Sequence, residues 1–81
     1  MIKAIKIWFD EDGMPIYKEP YEFKNFTDLS YWLDKEDLIT EFATEASARG
    51  SPDIVIRKDD FVVVIMKFEY TLEDTPLTKS I

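Results

Sequence analysis

The chain of 81 residues contains neither cysteine nor histidine. The lack of cysteine excludes disulfides, thiolate nucleophiles and thiolate metal sites. The lack of histidine removes the usual general base at neutral pH and a very common zinc ligand. None of the serines lies in a nucleophile-elbow pattern, which requires flanking glycines. We therefore expect no enzymatic activity, no cofactor and no metal site.

Glycine is also scarce, with Gly13 and Gly50 as the only two. A phosphate-binding loop needs several glycines close together, so we expect none here. The longest apolar run, FVVVIM, is far shorter than the ~20 residues that span a bilayer. The start of the chain, MIKAIKIWFDED, has no long apolar stretch before its charges, which argues against a signal peptide. These absences predict a cytoplasmic protein that does not bind membranes.

Basic residues are few beside acidic ones, 10 against 17, which gives a net charge of −7. Such a chain is repelled by nucleic acid and by anionic lipid. We therefore expect it to bind no nucleic acid directly and to favour a basic protein partner. Hydrophobic residues make up 46% of the chain, enough to exclude disorder as a description of the whole. Residues 1–81 are predicted to form one domain, with 73–81 as a frayed tail.

The strand patterns lie in two pairs, at residues 2–9 and 15–23 and at residues 53–57 and 60–72. In the first pair, Gly13 of the intervening sequence DEDG supplies the positive φ that a hairpin turn requires. Pro20 cannot donate a ladder hydrogen bond, so its strand is predicted to lie at a sheet edge or to be interrupted there. The sequence therefore predicts two β-hairpins.

A single helix is predicted between the two hairpins. Asn25 or Thr27 can cap its start, and the sequence RGSP at 49–52 is typical of a helix end. Its apolar side chains form one stripe, but Glu36 points into that stripe. Glu36 is then either paired and partly buried, or the helix breaks near Asp34, which caps a second segment.

The order hairpin, helix, hairpin predicts an α+β fold with two layers, ββαββ. One helix crosses the sheet once, so the first and last strands point the same way, and both are apolar enough to be central. The expected sheet has four strands in the order 2-1-4-3, mixed in direction, with the helix on one face. That layout is β-grasp-like. The alternative is a wholly antiparallel ββαββ sheet.

Four acidic side chains follow one another along the polar side of the predicted helix, and they are Asp34, Asp37, Glu41 and Glu45. Like charges one turn apart destabilise a helix by a few tenths of a kcal/mol, so a cation would be the more stable choice. One hypothesis is that this acidic stripe mimics nucleic acid. It would then block a basic, nucleic-acid-handling partner, as inhibitors from phages or mobile elements do. The alternative is a face that is only solvated.

Acidic residues also gather in the two hairpin turns, as Asp10, Glu11 and Asp12 and as Asp59 and Asp60. In the predicted sheet these turns lie at or near opposite ends, so we do not expect them to join the stripe. The sequence DEDG shares its acids with a calcium loop. However, the first ligand position of such a loop falls at Trp8, so a hairpin turn is favoured over a calcium site.

One helix leaves one face of the sheet open. We predict that this open face carries an apolar group made of Trp8, Phe61, Val63 and Ile65. An exposed apolar patch of that size is typical of an interface. It predicts a homodimeric structural or adaptor domain as the second hypothesis for function. The alternative is that long side chains such as Lys6 and Lys67 cover the patch.

Overall fold

The computed structural model describes residues 1–48 and 52–67. Its elements are β1 (Ile2–Phe9), β2 (Pro15–Phe23), α1 (Phe26–Lys35), α2 (Ile39–Ala48), β3 (Ile54–Arg57) and β4 (Phe61–Met66). The strands form one sheet in the order β2-β1-β4-β3, so the predicted strand order and the α+β class are confirmed. The predicted tail 73–81, the helix-ending residues 49–51 and part of the last predicted strand, 68–72, lie outside the described residues.

All neighbouring strands of the sheet are antiparallel, including the central pair β1 and β4. The prediction of a mixed sheet is therefore wrong, and the antiparallel alternative is the observed one. The register places Tyr21, Ala4, Ile65 and Ile54 in one row across the four strands. β2 thus ends, and β3 begins, at the same end of the sheet. A single helix that crossed the sheet would have delivered the chain to the opposite end.

Two helices, not one, connect β2 to β3, because α1 ends in a Schellman motif. The amide of Leu38 donates to the carbonyl of Leu33 at 2.7 Å, and the amide of Asp37 donates to Asp34 at 3.1 Å. Asp37 has a φ of 59°, the left-handed conformation that this motif requires. Leu33 and Leu38 are both fully buried. The prediction of one helix is wrong, and the break is favoured because it brings Leu38 into the core.

The backbone of β2 explains how Pro20 is tolerated. The amide of Phe9 donates to the carbonyl of Asp60 at 2.9 Å, so the odd-numbered residues of β1 direct their backbone groups toward β4. Ile5, the partner of Pro20 in the register, therefore makes no ladder bond to β2. The missing amide hydrogen of Pro20 would point away from the sheet, and β2 lies at an edge, as predicted.

Both helices pack on the same face of the sheet. The core contains Leu29 and Leu33 of α1, Leu38 of the connection and Phe42 of α2, together with the sheet residues Ala4, Phe23, Ile54, Ile56, Val63 and Ile65. Val63 and Ile65 are 0% exposed, and Trp8 and Phe61 share their face, with ring centroids 5.0 Å apart. The prediction that these four residues occupy the open face is wrong.

The open face of the sheet carries the alternate set of side chains, and the aliphatic ones are Ile5, Ile7, Val55, Val62 and Val64. Val62 is 9% exposed, and the other four are partly buried. Strand periodicity separates two faces but does not say which one the helices cover. Here both faces of the central strands are apolar, so the sequence pattern alone left the choice open.

Candidate functional site

The two acidic turns lie at the same end of the sheet. Trp8 pairs with Phe61 in the register, and the next residues, Phe9 and Asp60, are joined by a backbone hydrogen bond of 2.9 Å. The β1–β2 turn therefore adjoins the β3–β4 turn. The prediction that they lie at opposite ends is wrong, because it followed from the parallel arrangement of β1 and β4.

The first turn is held in place by its own acid. Oδ1 of Asp10 accepts from the amides of Asp12 and Met14, each at 2.9 Å. Gly13 has a φ of 81°, as the hairpin prediction required. These bonds leave Glu11 and Asp12 exposed at the tip.

The start of α2 adjoins the second turn. Nζ of Lys58 donates to Oε2 of Glu41 at 2.5 Å. The hydrogen bond from Lys58 lowers the pKa of the Glu41 carboxyl. The bond to Glu41 raises the pKa of Lys58, and the charges of Glu41, Asp37 and Asp59 add to that rise. The Glu41 side chain thus has a counter-charge on its own chain, contrary to the expectation of an unneutralised stripe.

Acidic residues from three segments therefore converge at one end of the domain. We call this surface the acidic end, and its members are Asp10, Glu11, Asp12, Asp37, Glu41, Asp59 and Asp60. Lys58 is the only cation that residues 10–12, 37–41 and 58–60 contribute. The sequence indicated each group of acids, but only the antiparallel register brings them together.

The four acids of the predicted stripe do not share one helix. Asp34 is exposed on the last turn of α1, and Asp37 is exposed in the connection. Glu41 and Glu45 lie one turn apart on α2. The break after α1 divides the stripe, so that Asp37 and Glu41 belong to the acidic end while Glu45 lies farther along α2.

A cluster around Lys6 was missed by the sequence patterns. Lys6 lies on the helix face and is 6% exposed. Its Nζ lies 2.8 Å from Oε1 of Glu36 and 4.3 Å from the ring centroids of both Trp8 and Phe61. The carboxylate and the two aromatic faces compensate for the loss of hydration of the ammonium group. The Lys6 cluster is thereby satisfied internally and is a structural feature.

Two signals pointed toward this cluster. Lys6 shares a strand face with Ala4 and Trp8, and Glu36 interrupts the apolar stripe of the helix. Glu36 is paired and partly buried, as the first alternative predicts. The helix also breaks, but the break follows Glu36 at the C-cap, and Asp34 lies within α1 and does not cap α2. Nearby, burial raises the pKa of Tyr21, and the negative charges of Glu19 and Glu36 raise it further.

A groove of about 380 Å³ lies between α2 and the edge strand β3, and its lining residues are Thr40, Glu41, Thr44, Glu45, Val55, Ile56 and Arg57. The hydroxyl of Thr44 donates to the carbonyl of Thr40 at 3.1 Å. Glu41 and Glu45 place carboxylates on the helix side of the groove, and the edge of β3 forms the other side.

Within residues 1–48 and 52–67, no group of three or more acidic side chains is arranged to hold a metal ion. No helix in that part of the chain is long and apolar enough to cross a membrane. Comparison of the chain with family models, with curated proteins and with solved structures finds no match.

Proposed function

We propose that this chain is a non-enzymatic binding protein that docks its acidic end on a basic surface of a protein partner. The observation that carries the proposal is the convergence of acids from three separate segments at one end of the sheet. The basic surface of the proposed partner is one that binds the phosphates of nucleic acid when the acidic end does not occupy it. By occupying that surface the acidic end inhibits the partner, as small inhibitors encoded by phages or mobile elements do.

Electrostatics supports this mode of binding over direct binding of nucleic acid. The segments that form the acidic end contribute seven carboxylates and one ammonium group, that of Lys58, and the chain as a whole has a net charge of −7. Such a field accelerates encounter with a cationic surface and repels anionic ones. Affinity that depends on these charges should fall steeply as salt rises.

The experiment is capture of partners on the immobilised protein from a nuclease-treated lysate, with elution by rising salt. Charge reversal in the second turn, Asp59→Lys, is compared with Glu22→Lys, which makes the same charge change on β2, outside the acidic end. We expect basic nucleic-acid-binding proteins to bind the wild type and the Glu22→Lys variant, and to be displaced by added duplex DNA. We also expect Asp59→Lys to bind them about ten-fold more weakly, and the double variant Glu11→Lys/Asp59→Lys to bind more weakly still.

The proposal fails if the captured proteins are indifferent to both salt and DNA. It also fails if Asp59→Lys and Glu22→Lys retain the same affinity for them. Circular dichroism of each variant establishes that it is folded before binding is compared.

A homodimer through the open sheet face is the second candidate. The observation that favours it is the patch of five aliphatic side chains on three strands, over which neither α1 nor α2 lies. Sedimentation equilibrium tests it, with Ile5→Lys as the variant expected to dissociate the dimer. A wild-type protein that remains monomeric at millimolar concentration removes this candidate. The two candidates use different surfaces and are compatible.

A further inference from the structure

The two edges of the sheet differ in their capacity to accept another strand. At the β2 edge, the even-numbered residues direct their backbone groups outward, and Pro20 among them has no amide hydrogen to offer. Its outward neighbours Lys18 and Glu22 are charged and exposed. Prolines and charges at these positions are how natural sheets prevent edge-to-edge pairing. The β2 edge is thus protected.

The β3 edge is less protected, because Ile54–Arg57 contains no proline and Arg57 is its only charged residue. The amide of Lys58 donates to the carbonyl of Phe61 at 2.9 Å, so Lys58 directs its backbone groups toward β4. The direction alternates along a strand, so Val55 and Arg57 direct theirs away from β4. Within residues 1–48 and 52–67, no backbone group pairs with this outer edge of β3.

The groove between α2 and β3 lies along this edge. A strand added to a sheet lies about 4.8 Å from its neighbour, which would place it in the groove beside Val55 and Arg57. Its side chains would alternate between the helix face and the open face of the sheet. On the helix side they would meet Glu45, and Glu41 together with its partner Lys58. On the other side they would meet Val55 and the exposed Arg57.

We infer that the β3 edge takes up an extended segment of a partner protein as a fifth strand of the sheet. The segment carries lysine or arginine at the positions that face α2 and apolar residues at the positions between them. Backbone hydrogen bonds to Val55 and Arg57 give the affinity, while the carboxylate of Glu45 selects the cationic side chains. This inference rests on the proposed function for the basic character of the partner, and it adds a second contact beside the acidic end.

The direct test is amide hydrogen exchange with a defined probe, the peptide acetyl-Lys-Val-Lys-Val-Lys-Val-amide. Without peptide, the outward amides of Val55 and Arg57 should exchange rapidly, while the inward amide of Ile56 is protected. Saturating peptide should slow exchange at Val55 and Arg57 by about ten-fold or more, because each then donates a hydrogen bond. The same peptide with glutamate in place of lysine should have no effect.

Two variants and a matched control complete the test. Val55→Pro removes an outward donor without breaking a bond to β4, and should weaken peptide binding by about ten-fold. Lys18→Pro, which removes an outward donor on β2, is the matched control and should bind normally. Glu45→Lys should weaken binding by a similar factor while leaving the backbone of β3 intact, so the test survives if the proline variant does not fold.

The outcomes separate this inference from the proposed function. Binding of the peptide with no protection at Val55 and Arg57, but with loss of binding in Asp59→Lys, overturns strand addition and leaves the acidic end as the site. Protection of both amides before peptide is added means that the chain's own residues occupy the edge, which also overturns the inference. Protection by the peptide in a protein that captures no basic partner supports strand addition and counts against the proposed function.

Discussion

Nζ of Lys6, in the middle of β1, lies 2.8 Å from Oε1 of Glu36, which caps the C-terminus of α1. The side chain of Lys6 is 8% exposed and that of Glu36 is 27% exposed, so the carboxylate retains water that the ammonium group has lost. The pair joins the end of the first helix to the centre of the sheet. It also explains an acid within an otherwise apolar helix stripe.

Removal of either partner of this pair should therefore have unequal effects. Glu36→Ala leaves a buried ammonium group without its carboxylate, and we expect a loss of about 2–3 kcal/mol in the free energy of unfolding. Lys6→Met retains most of the packing and leaves a carboxylate that water can still reach, and we expect a loss of about 1 kcal/mol. Urea denaturation of both variants measures the difference.

The double variant Lys6→Met/Glu36→Gln serves as the control, because it removes both charges together. Its stability should be closer to the wild type than that of Glu36→Ala. Equal losses in the two single variants would contradict the asymmetry in burial.

The left-handed residue between the helices gives a second prediction. Asp37 has a φ of 59° at a position where glycine is the usual residue. Asp37→Gly relieves backbone strain in the folded state but raises the conformational entropy of the unfolded chain. We expect a net gain of about 0.5 kcal/mol in the free energy of unfolding. Asp37→Val should cost about 1–2 kcal/mol, because a β-branched residue is strained in this conformation.

Thermal unfolding of the Asp37 variants distinguishes strain from charge, since Asp37→Asn removes the charge and keeps a residue that tolerates positive φ. Asn should leave the stability nearly unchanged. If Asn and Val were equally destabilising, the charge of Asp37 and not its backbone conformation would be the cause.

The pair Glu41 and Lys58 gives a prediction of pH dependence. The pKa of Glu41 is lowered below its ordinary 4.5 by the hydrogen bond from Lys58. A lowered folded-state pKa stabilises the fold above 4.5, and that contribution disappears as the pH falls through the folded-state value. The pKa of Lys58 is raised above its ordinary 10.5. The stability that Lys58 contributes to the fold is therefore fully present at neutral pH and is lost as the pH rises through the folded-state pKa.

NMR titration of the Glu41 carboxyl carbon measures this shift. The midpoint should lie below 4.5 in the wild type and return to the ordinary value in Lys58→Gln. A midpoint that does not move in Lys58→Gln would show that the lysine does not hold the carboxylate in solution.

Two adjacent valines of β4 test which face of the sheet the helices cover. Val63 is 0% exposed beneath the helices, whereas Val64 is partly buried on the open face. Val63→Asp buries an unpaired carboxylate and should cost about 4 kcal/mol or more, enough to unfold a domain of this size. Val64→Asp should cost about 1 kcal/mol and leave the domain folded.

Circular dichroism and thermal unfolding compare the two variants, which place the same substitution on opposite faces of the sheet. The reverse order of stability would place the helices on the face first predicted from the sequence. Equal and complete unfolding would indicate that both faces are buried in solution, as in the homodimer.

Parts of the candidate site could be predicted from the sequence, because they depend on local rules. Glycine permits a positive φ and proline lacks an amide hydrogen, so each residue type indicates its own backbone environment. Both predictions are confirmed, at Gly13 in the first turn and at Pro20 in the edge strand. The acids were also recognised individually. Their convergence could not be predicted, since it depends on which ends of two distant hairpins meet.

The error over the apolar face had a similar origin. Alternation along β1 and β4 correctly divides the residues into two sets, but the prediction that the set containing Lys6 lies on the open face is wrong. A lysine on a core-facing position is unusual, and it is stable here because Glu36 and two aromatic rings surround it. The carboxylate of this cluster belongs to a residue 30 positions away along the chain.

The sequence by itself determined the approximate positions of the four strands, the first turn, the protected edge at Pro20 and the acidic character of the chain; it also predicted the order 2-1-4-3, although from a helix path that is wrong. The strand positions, the turn and the protected edge follow from periodicity and backbone chemistry, which act within a few residues, and the acidic character follows from composition. Only the tertiary structure decided the helix break at Asp37, the antiparallel pairing of β1 with β4, the covered face and the single acidic end. The reason is that burying Leu38 reverses the path between the hairpins, and the direction of the last two strands, with the position of every acid they carry, follows from that one packing choice.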